Sequence, residues 1–88
     1  MAKSNQNLMK INLLSFGIAK EILGQRFLEV ELPLGSDIAK LRKELVLKYP
    51  RLAELASIRL AINSEYAEEV DLLSENDEVA LIPPVSGG

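Results

Sequence analysis

The sequence predicts an α+β domain in which one main helix lies across a mixed sheet of four to five strands. Three observations predict it. Segments with apolar residues at every second position recur along the chain, which is the strand period. A single stretch, Ile38 to Tyr49, instead repeats its apolar residues at helical spacing. The 88 residues make one domain. A chain this short buries only ~60–65% of the surface its unfolded form exposes, so its core must be simple and efficient.

Residues 1–8 are polar and aperiodic, and read as a flexible leader to a domain over 9–83 and an extended tail over 84–88. Lys10 to Phe16 reads as a strand, with Ile11 and Leu13 on one face and Leu14 and Phe16 on the other. Gly17 breaks it, and Ile18 to Leu23 forms a helical turn closed by Gly24, where a positive φ is required. In Phe27 to Leu32, Leu28, Val30 and Leu32 alternate with Glu29 and Glu31, so one face is buried and one is wet. Pro33-Leu34-Gly35 ends that strand. Ser36 is the expected cap of the helix over 37–49, and Asp37 suits its positive end. Ile38, Leu41, Leu45 and Tyr49 form the buried stripe, and Pro50 stops the helix. Ile58 to Ile62 is a strand with Ile58, Leu60 and Ile62 inward. Asn63-Ser64 is a turn, Tyr66-Ala67 a short edge strand, and Ser74 to Asp77 a second turn. Glu78 to Ile82 is the last strand, with Val79 and Leu81 on one face and Ala80 and Ile82 on the other. One amphipathic helix covering one face of such a sheet is the arrangement of a β-grasp fold.

Composition excludes several functions. There is no cysteine and no histidine, so disulfides, thiol nucleophiles and the commonest general base and metal ligand are absent together. No apolar run approaches the ~20 residues that span a bilayer, and the first residues lack the apolar stretch of a signal peptide. The expectation is a cytoplasmic chain with no membrane role, no metal and no permanently bound cofactor. Net charge is −3, unevenly spread: residues 1–50 carry +3 and residues 51–88 carry −6. Glu65 to Glu78 holds seven acids and no base. Nucleic acid is therefore not the expected partner. A basic protein surface fits this stretch, and so does a solvated acidic loop.

The chain ends Pro83-Pro84-Val85-Ser86-Gly87-Gly88. A terminal Gly-Gly arises by chance in about 0.5% of chains, so its placement carries the weight. It follows a strand and two prolines that cannot continue a ladder and that favour an extended chain. Five residues from Pro84 reach roughly 16 Å at most. Two glycines can thread a channel too narrow for side chains. The terminal carboxylate is ionised at neutral pH and is a poor acyl donor until a partner activates it, for example as an acyl-adenylate. Sulfur replacing one oxygen then gives a thiocarboxylate, a route by which a cysteine-free chain carries sulfur.

The segment Asp77-Glu78-Val79-Ala80-Leu81-Ile82-Pro83-Pro84-Val85-Ser86-Gly87-Gly88 resembles the ending of molybdopterin synthase small subunits, with a D-E-V-A strand running into P-P-V-[ST]-G-G. Phe16-Gly17, Lys20-Glu21 and Gly24 resemble that family's pattern after its first strand, and Ala61-Ile62-Asn63 resembles its A-V-N turn. The resemblance covers about residues 9–88; the N-terminal extension departs from it. It implies a ubiquitin-like β-grasp fold and a sulfur carrier for molybdopterin synthesis. Gly88 bears the thiocarboxylate by this analogy, and Gly87 gives it access. The implied partners are a large subunit, in a heterotetramer of two small and two large chains, an adenylyltransferase related to ubiquitin activation that uses ATP, and a sulfurtransferase. The chain would not be catalytic alone but would donate sulfur inside the large subunit.

Phe16, Tyr66 and Ile82 lie on the faces opposite the inward residues, and β-grasp pairing would gather them into one exposed patch near the tail's exit. With Pro83, Pro84, Val85 and Ser86 they make the expected partner-binding set. Three other functions fit the same tail or fold: a carrier for the thiazole of thiamin, a covalent modifier joined to lysines through Gly88, or a purely structural interaction module.

Overall fold

The computed structural model describes residues 7–54 and 58–83. In chain order the elements are β1 (Leu8–Ser15), α1 (Gly17–Leu23), β2 (Phe27–Pro33), α2 (Ile38–Lys48), a 3-10 turn (Pro50–Glu54), β3 (Arg59–Ile62), β4 (Glu65–Tyr66) and β5 (Glu78–Ile82). The strands form one sheet in the order β2-β1-β5-β3-β4. β1 and β5 run parallel in its middle, and the other pairs are antiparallel. This is the expected β-grasp with a mixed sheet of five strands and one main helix.

Alternation along the strands decides what is buried. Met9, Ile11, Leu13, Val30, Leu32, Leu60, Val79 and Leu81 all face α2, which returns Ile38, Leu41 and Leu45 at helical spacing. Ile11, Ile38, Leu41 and Val79 are completely buried. Ala19 and Leu23 of α1 and Leu52 of the 3-10 turn close the ends of this core. Ile58 and Ile62 pack against it while half-buried.

Several local details differ from the sequence expectation. β1 starts at Leu8 rather than Lys10, and the Asn7 carbonyl accepts a hydrogen bond from Leu34 N–H at 2.8 Å. Leu8, the last residue of the expected leader, thus belongs to the sheet, with Asn7 tied beside it; residues 1–6 lie outside the described residues. Asp37, not Ser36, caps α2. Its extended backbone (φ −112°, ψ −177°) sits directly before Ile38, and its Oδ1 accepts from Lys40 N–H at 2.9 Å. Ser36 lies one residue too early, and its Oγ donates to the Pro33 carbonyl at 2.7 Å instead. Pro50 ends α2 as expected, yet it opens a 3-10 turn, because proline is tolerated where a helical turn begins. The edge strand is Glu65–Tyr66, one residue earlier than expected, although Ala67 N–H still donates to the Leu60 carbonyl at 2.9 Å.

The acidic stretch serves the fold. Its backbone carbonyls cap α2: Asp71 O accepts from Ile38 N–H and Glu69 O from Ala39 N–H, both at 3.0 Å. Its carboxylates hold turns. Asp77 accepts from Ser74 N–H at 2.7 Å, Asp71 from Glu68 N–H at 2.9 Å, and Glu75 from Lys10 N–H at 3.0 Å. Glu69 pairs with Arg42 at 2.9 Å, and Arg42 also donates to the Ile58 carbonyl. Four of the seven acids therefore have internal partners.

Asp37→Ala should lower stability by about 1 kcal/mol, or ~4–8 °C in melting temperature for a domain of this size. Asp37→Asn, which keeps the acceptor, should recover most of it. Thermal melts followed by circular dichroism test this, and equal losses for both variants would remove the capping role.

Candidate functional site

The pleat that buries one sheet face leaves the other open, and its register can be followed strand by strand. Leu14 stands opposite Phe27 on one side and Ala80 on the other. Ala80 stands opposite Ala61, and Ala61 opposite Tyr66. Phe27, Leu14, Ala80, Ala61 and Tyr66 therefore form an apolar strip across all five strands. Phe27 and Tyr66, its two ends, are 66% and 60% exposed. The row on one side of this strip is polar: Glu29, Asn12, Glu78 and Asn63.

On the other side lies the point where the chain leaves the sheet. Ser15 pairs with Leu81, so Phe16 and Ile82 come one step further along their parallel strands. Gly17 turns away into α1 at φ +55°, and a Cβ there would meet Pro83 Cγ at 3.4 Å. The backbone at Gly17 thus lies against Pro83. Phe16 is 38% exposed, whereas Ile82 and Pro83 are half-buried.

Two arginines fix the ends of this region. Ser15, fully buried, donates its N–H to Arg26 O and its Oγ to Gln25 O, each at 2.8 Å. This holds the α1–β2 loop against the end of β1, with the Arg26 guanidinium 5.9 Å from the centre of the Phe16 ring. At the opposite edge Arg59 pairs with Ile82 in the β3–β5 ladder, and its guanidinium lies 4.0 Å from the centre of the Tyr66 ring. Arg59 thereby links Ile82 to Tyr66. The two-residue turn Asn63-Ser64, both residues at positive φ, delivers Tyr66 to this face. Asn63 is pinned in turn, accepting from Glu78 N–H at its side-chain oxygen and donating to Asp77.

The structure brings Phe16, Tyr66 and Ile82 to one open face, with half-buried Pro83 beside it against Gly17. Pro84, Val85, Ser86, Gly87 and Gly88 lie outside the described residues. Sequence reasoning missed Phe27 and Leu14 as members of the strip, although both have outward parity in their strands. It also missed Arg26 and Arg59, for which only three-dimensional stacking gives a signal. Among the described residues no group of three or more acidic, cysteine or histidine side chains is placed to hold a metal, and no helix is long and apolar enough to cross a membrane. The site is a surface, not a cleft. An apolar hollow of about 200 Å³ lies elsewhere, under α2 between Val46, Leu52 and Ile58.

Chains of known identity share this sequence and fold. Residues 13–88 match the ThiS family. The molybdopterin synthase sulfur carrier subunit of Arabidopsis thaliana is 42% identical over 81 residues, covering 91% of this chain and 84% of that one. The subunit of the same name from Caenorhabditis briggsae is 37% identical, covering 92% and 100%. SAMP1 from Haloferax volcanii superposes with a TM-score of 0.79 at 26% identity, covering 90% and 99%. A chain from the complex of subunits 1 and 2 of the molybdopterin-converting factor of Helicobacter pylori gives 0.67 at 25%, covering 91% and 100%. A ubiquitin from Caldiarchaeum subterraneum gives 0.62 at 19%, covering 92% and 99%, and shares the fold alone.

Neighbouring residues on opposite faces of the sheet should respond oppositely to a charge. Phe16→Asp should leave the far-UV circular dichroism native and the melting temperature within several degrees. Leu81→Asp, at a position 1% exposed, should prevent folding, because an unpaired charge would enter the core. An unfolded Phe16→Asp would move that ring into the core.

Proposed function

The chain belongs to the ThiS family, and from that premise we propose that it is the sulfur-carrying small subunit of a molybdopterin synthase. One observation carries the reading: identity of 37–42% to subunits of that name over more than nine-tenths of the chain. The Pro-Pro-Val-Ser-Gly-Gly ending supplies the chemistry. In this reading the Gly88 carboxylate attacks ATP bound by a ubiquitin-activating-like adenylyltransferase, and pyrophosphate leaves. A sulfurtransferase persulfide then displaces AMP to form an acyl disulfide, and a thiol cleaves its S–S bond, leaving a thiocarboxylate on Gly88 and a disulfide from the thiol and the sulfurtransferase. The tail enters the active site of a large subunit and gives up its sulfur toward the dithiolene of molybdopterin. Glycine at 87 and 88 keeps that route free of side chains.

The division of labour follows from the residues present. With no cysteine or histidine the chain has neither a thiol to hold sulfur nor an imidazole base, and in this reading partners supply the ATP site and the sulfur. The domain supplies a rigid base and a docking face, and the tail supplies the reactive atom. The solved complex of the two converting-factor subunits from Helicobacter pylori supports a large-subunit partner. A ring of Phe16 and Ile82 around the exit is suited to seating that partner where the tail leaves the sheet.

A second reading has its own support. SAMP1 of Haloferax volcanii, a small archaeal modifier protein, superposes at 26% identity, and a covalent modifier would use the same activated Gly88. Intact mass of protein isolated from its own cells separates the two. A C-terminal oxygen replaced by sulfur marks the carrier; isopeptide-linked adducts mark the modifier.

Adding one residue after Gly88 should abolish sulfur transfer while fold and large-subunit binding persist. The added residue converts the reacting carboxyl to an amide and moves the new terminus roughly 3.3–3.6 Å away. Misplacement by ~1 Å already costs on the order of 100-fold in rate. Product formation by the reconstituted synthase is the measurement, and normal turnover by a verified unprocessed variant would overturn the mechanism.

A further inference from the structure

The open face is mixed in charge: Glu29 and Glu78 lie in its polar row, and two arginines lie toward its exit end. The protein is acidic, with a net charge of −3, yet the two charged groups over the exit-side aromatics are both arginines, Arg59 stacked at 4.0 Å and Arg26 more loosely placed at 5.9 Å. Arg26 lies over Phe16 at one edge and Arg59 over Tyr66 at the other. Both are exposed. Among the described residues the ion pairs are Lys10–Glu29, Lys40–Glu44 and Arg42–Glu69, so neither of these two arginines has a carboxylate partner within the domain.

A guanidinium stacked on a ring keeps its N–H edges available, and the stacking holds the plane in place. That geometry suits a carboxylate, which it can meet with two parallel hydrogen bonds. Less side-chain freedom is lost on docking than from a free arginine. Between the two guanidinium groups lie Phe16, Ile82 and the strip through Ala80 and Ala61. We infer that Arg26 and Arg59 are the two anionic docking points of this face, and that the surface which covers it is a protein surface with an apolar centre flanked by Asp or Glu side chains. This rests on the reading above that the face seats the large subunit, and it assigns that subunit its complementary chemistry.

The test uses the full chain and the large subunit encoded by the same organism, titrated by calorimetry across a salt series. Arg26→Gln and Arg59→Gln should each weaken binding about fivefold, with shallower salt dependence and unchanged melting temperature. Arg59→Lys should recover part of the affinity, since it restores charge but not the planar fork. Phe16→Asp is the control for the face itself. If it abolishes binding while both Arg→Gln variants bind like wild type at every salt concentration, the arginine assignment is overturned and the docking face stands. If Phe16→Asp also binds normally, the face reading has failed and the inference with it. Sedimentation of the chain alone should give a monomer. A dimer lost on Arg59→Gln would give the face to a second copy and overturn the assignment to a heterologous partner.

Discussion

The structure depends on the parallel pairing of β1 with β5. The two strands come from opposite ends of the chain, with Asn12 opposite Glu78 and Ser15 opposite Leu81. Each must be buried on the α2 side, which is why Ile11, Leu13, Val79 and Leu81 are nearly inaccessible. A parallel neighbour cannot be reached by a hairpin, so everything between the two strands must cross over and return. β2 takes the outer edge of β1, α2 covers the face, and β3 comes back to pair with the far edge of β5. The same pairing sets the exit. Because β5 runs in the direction of β1, its last residues emerge beside the Phe16-Gly17 corner, and Pro83 is left against Gly17.

That topology has a long loop-closure cost, since the β1–β5 contacts join residues about sixty-six positions apart. The segment 67–77 helps to hold the closed form. It contains little regular structure, yet its carbonyls satisfy the first amides of α2 and Asp37 forms an isolated bridge with Leu72. Leu73 enters the core at 4% exposure, while Leu72 beside it stays outside. Its carboxylates therefore do local structural work: they close turns and anchor Arg42.

Strand parity was the most legible feature of the sequence. Alternating Leu28-Val30-Leu32 and Val79-Leu81 placed these residues toward the helix, and the same parity sent Phe16, Tyr66 and Ile82 to the other side. The helix over 37–49 was readable because one apolar stripe occurs where every other segment alternates. What was not legible depended on distance in sequence or on one-residue offsets. Ser36 and Asp37 are both good caps by type, and only the backbone of the following residue chooses between them. The acidic run reads as surface charge until its partners at Arg42, Lys10 and the α2 amides are known. Phe27 could have been placed by parity, but its value appears only when five registers line up. The tail's proposed chemistry rests on residue types alone, since residues 84–88 lie outside the described residues.

Two arginines beside the exit connect fold to docking. A small acidic domain has few charges to distribute, and seven of its acids lie in one stretch. Turns, the Lys10 amide and Arg42 engage four of those carboxylates, and among the described residues Arg26 and Arg59 have no ion-pair partner. Stacking on Tyr66 at 4.0 Å covers one flat surface of the Arg59 guanidinium, while Arg26 approaches the Phe16 ring only to 5.9 Å. An apolar strip alone would associate with many surfaces, including a second copy of itself. Two positive groups at fixed positions on either side oppose self-pairing, because a two-fold contact would bring arginine toward arginine, and they favour a partner carrying the opposite sign. In the proposed assembly the carboxylates that close the loop over 68–77 and the arginines offered to the partner sit on different elements of the fold.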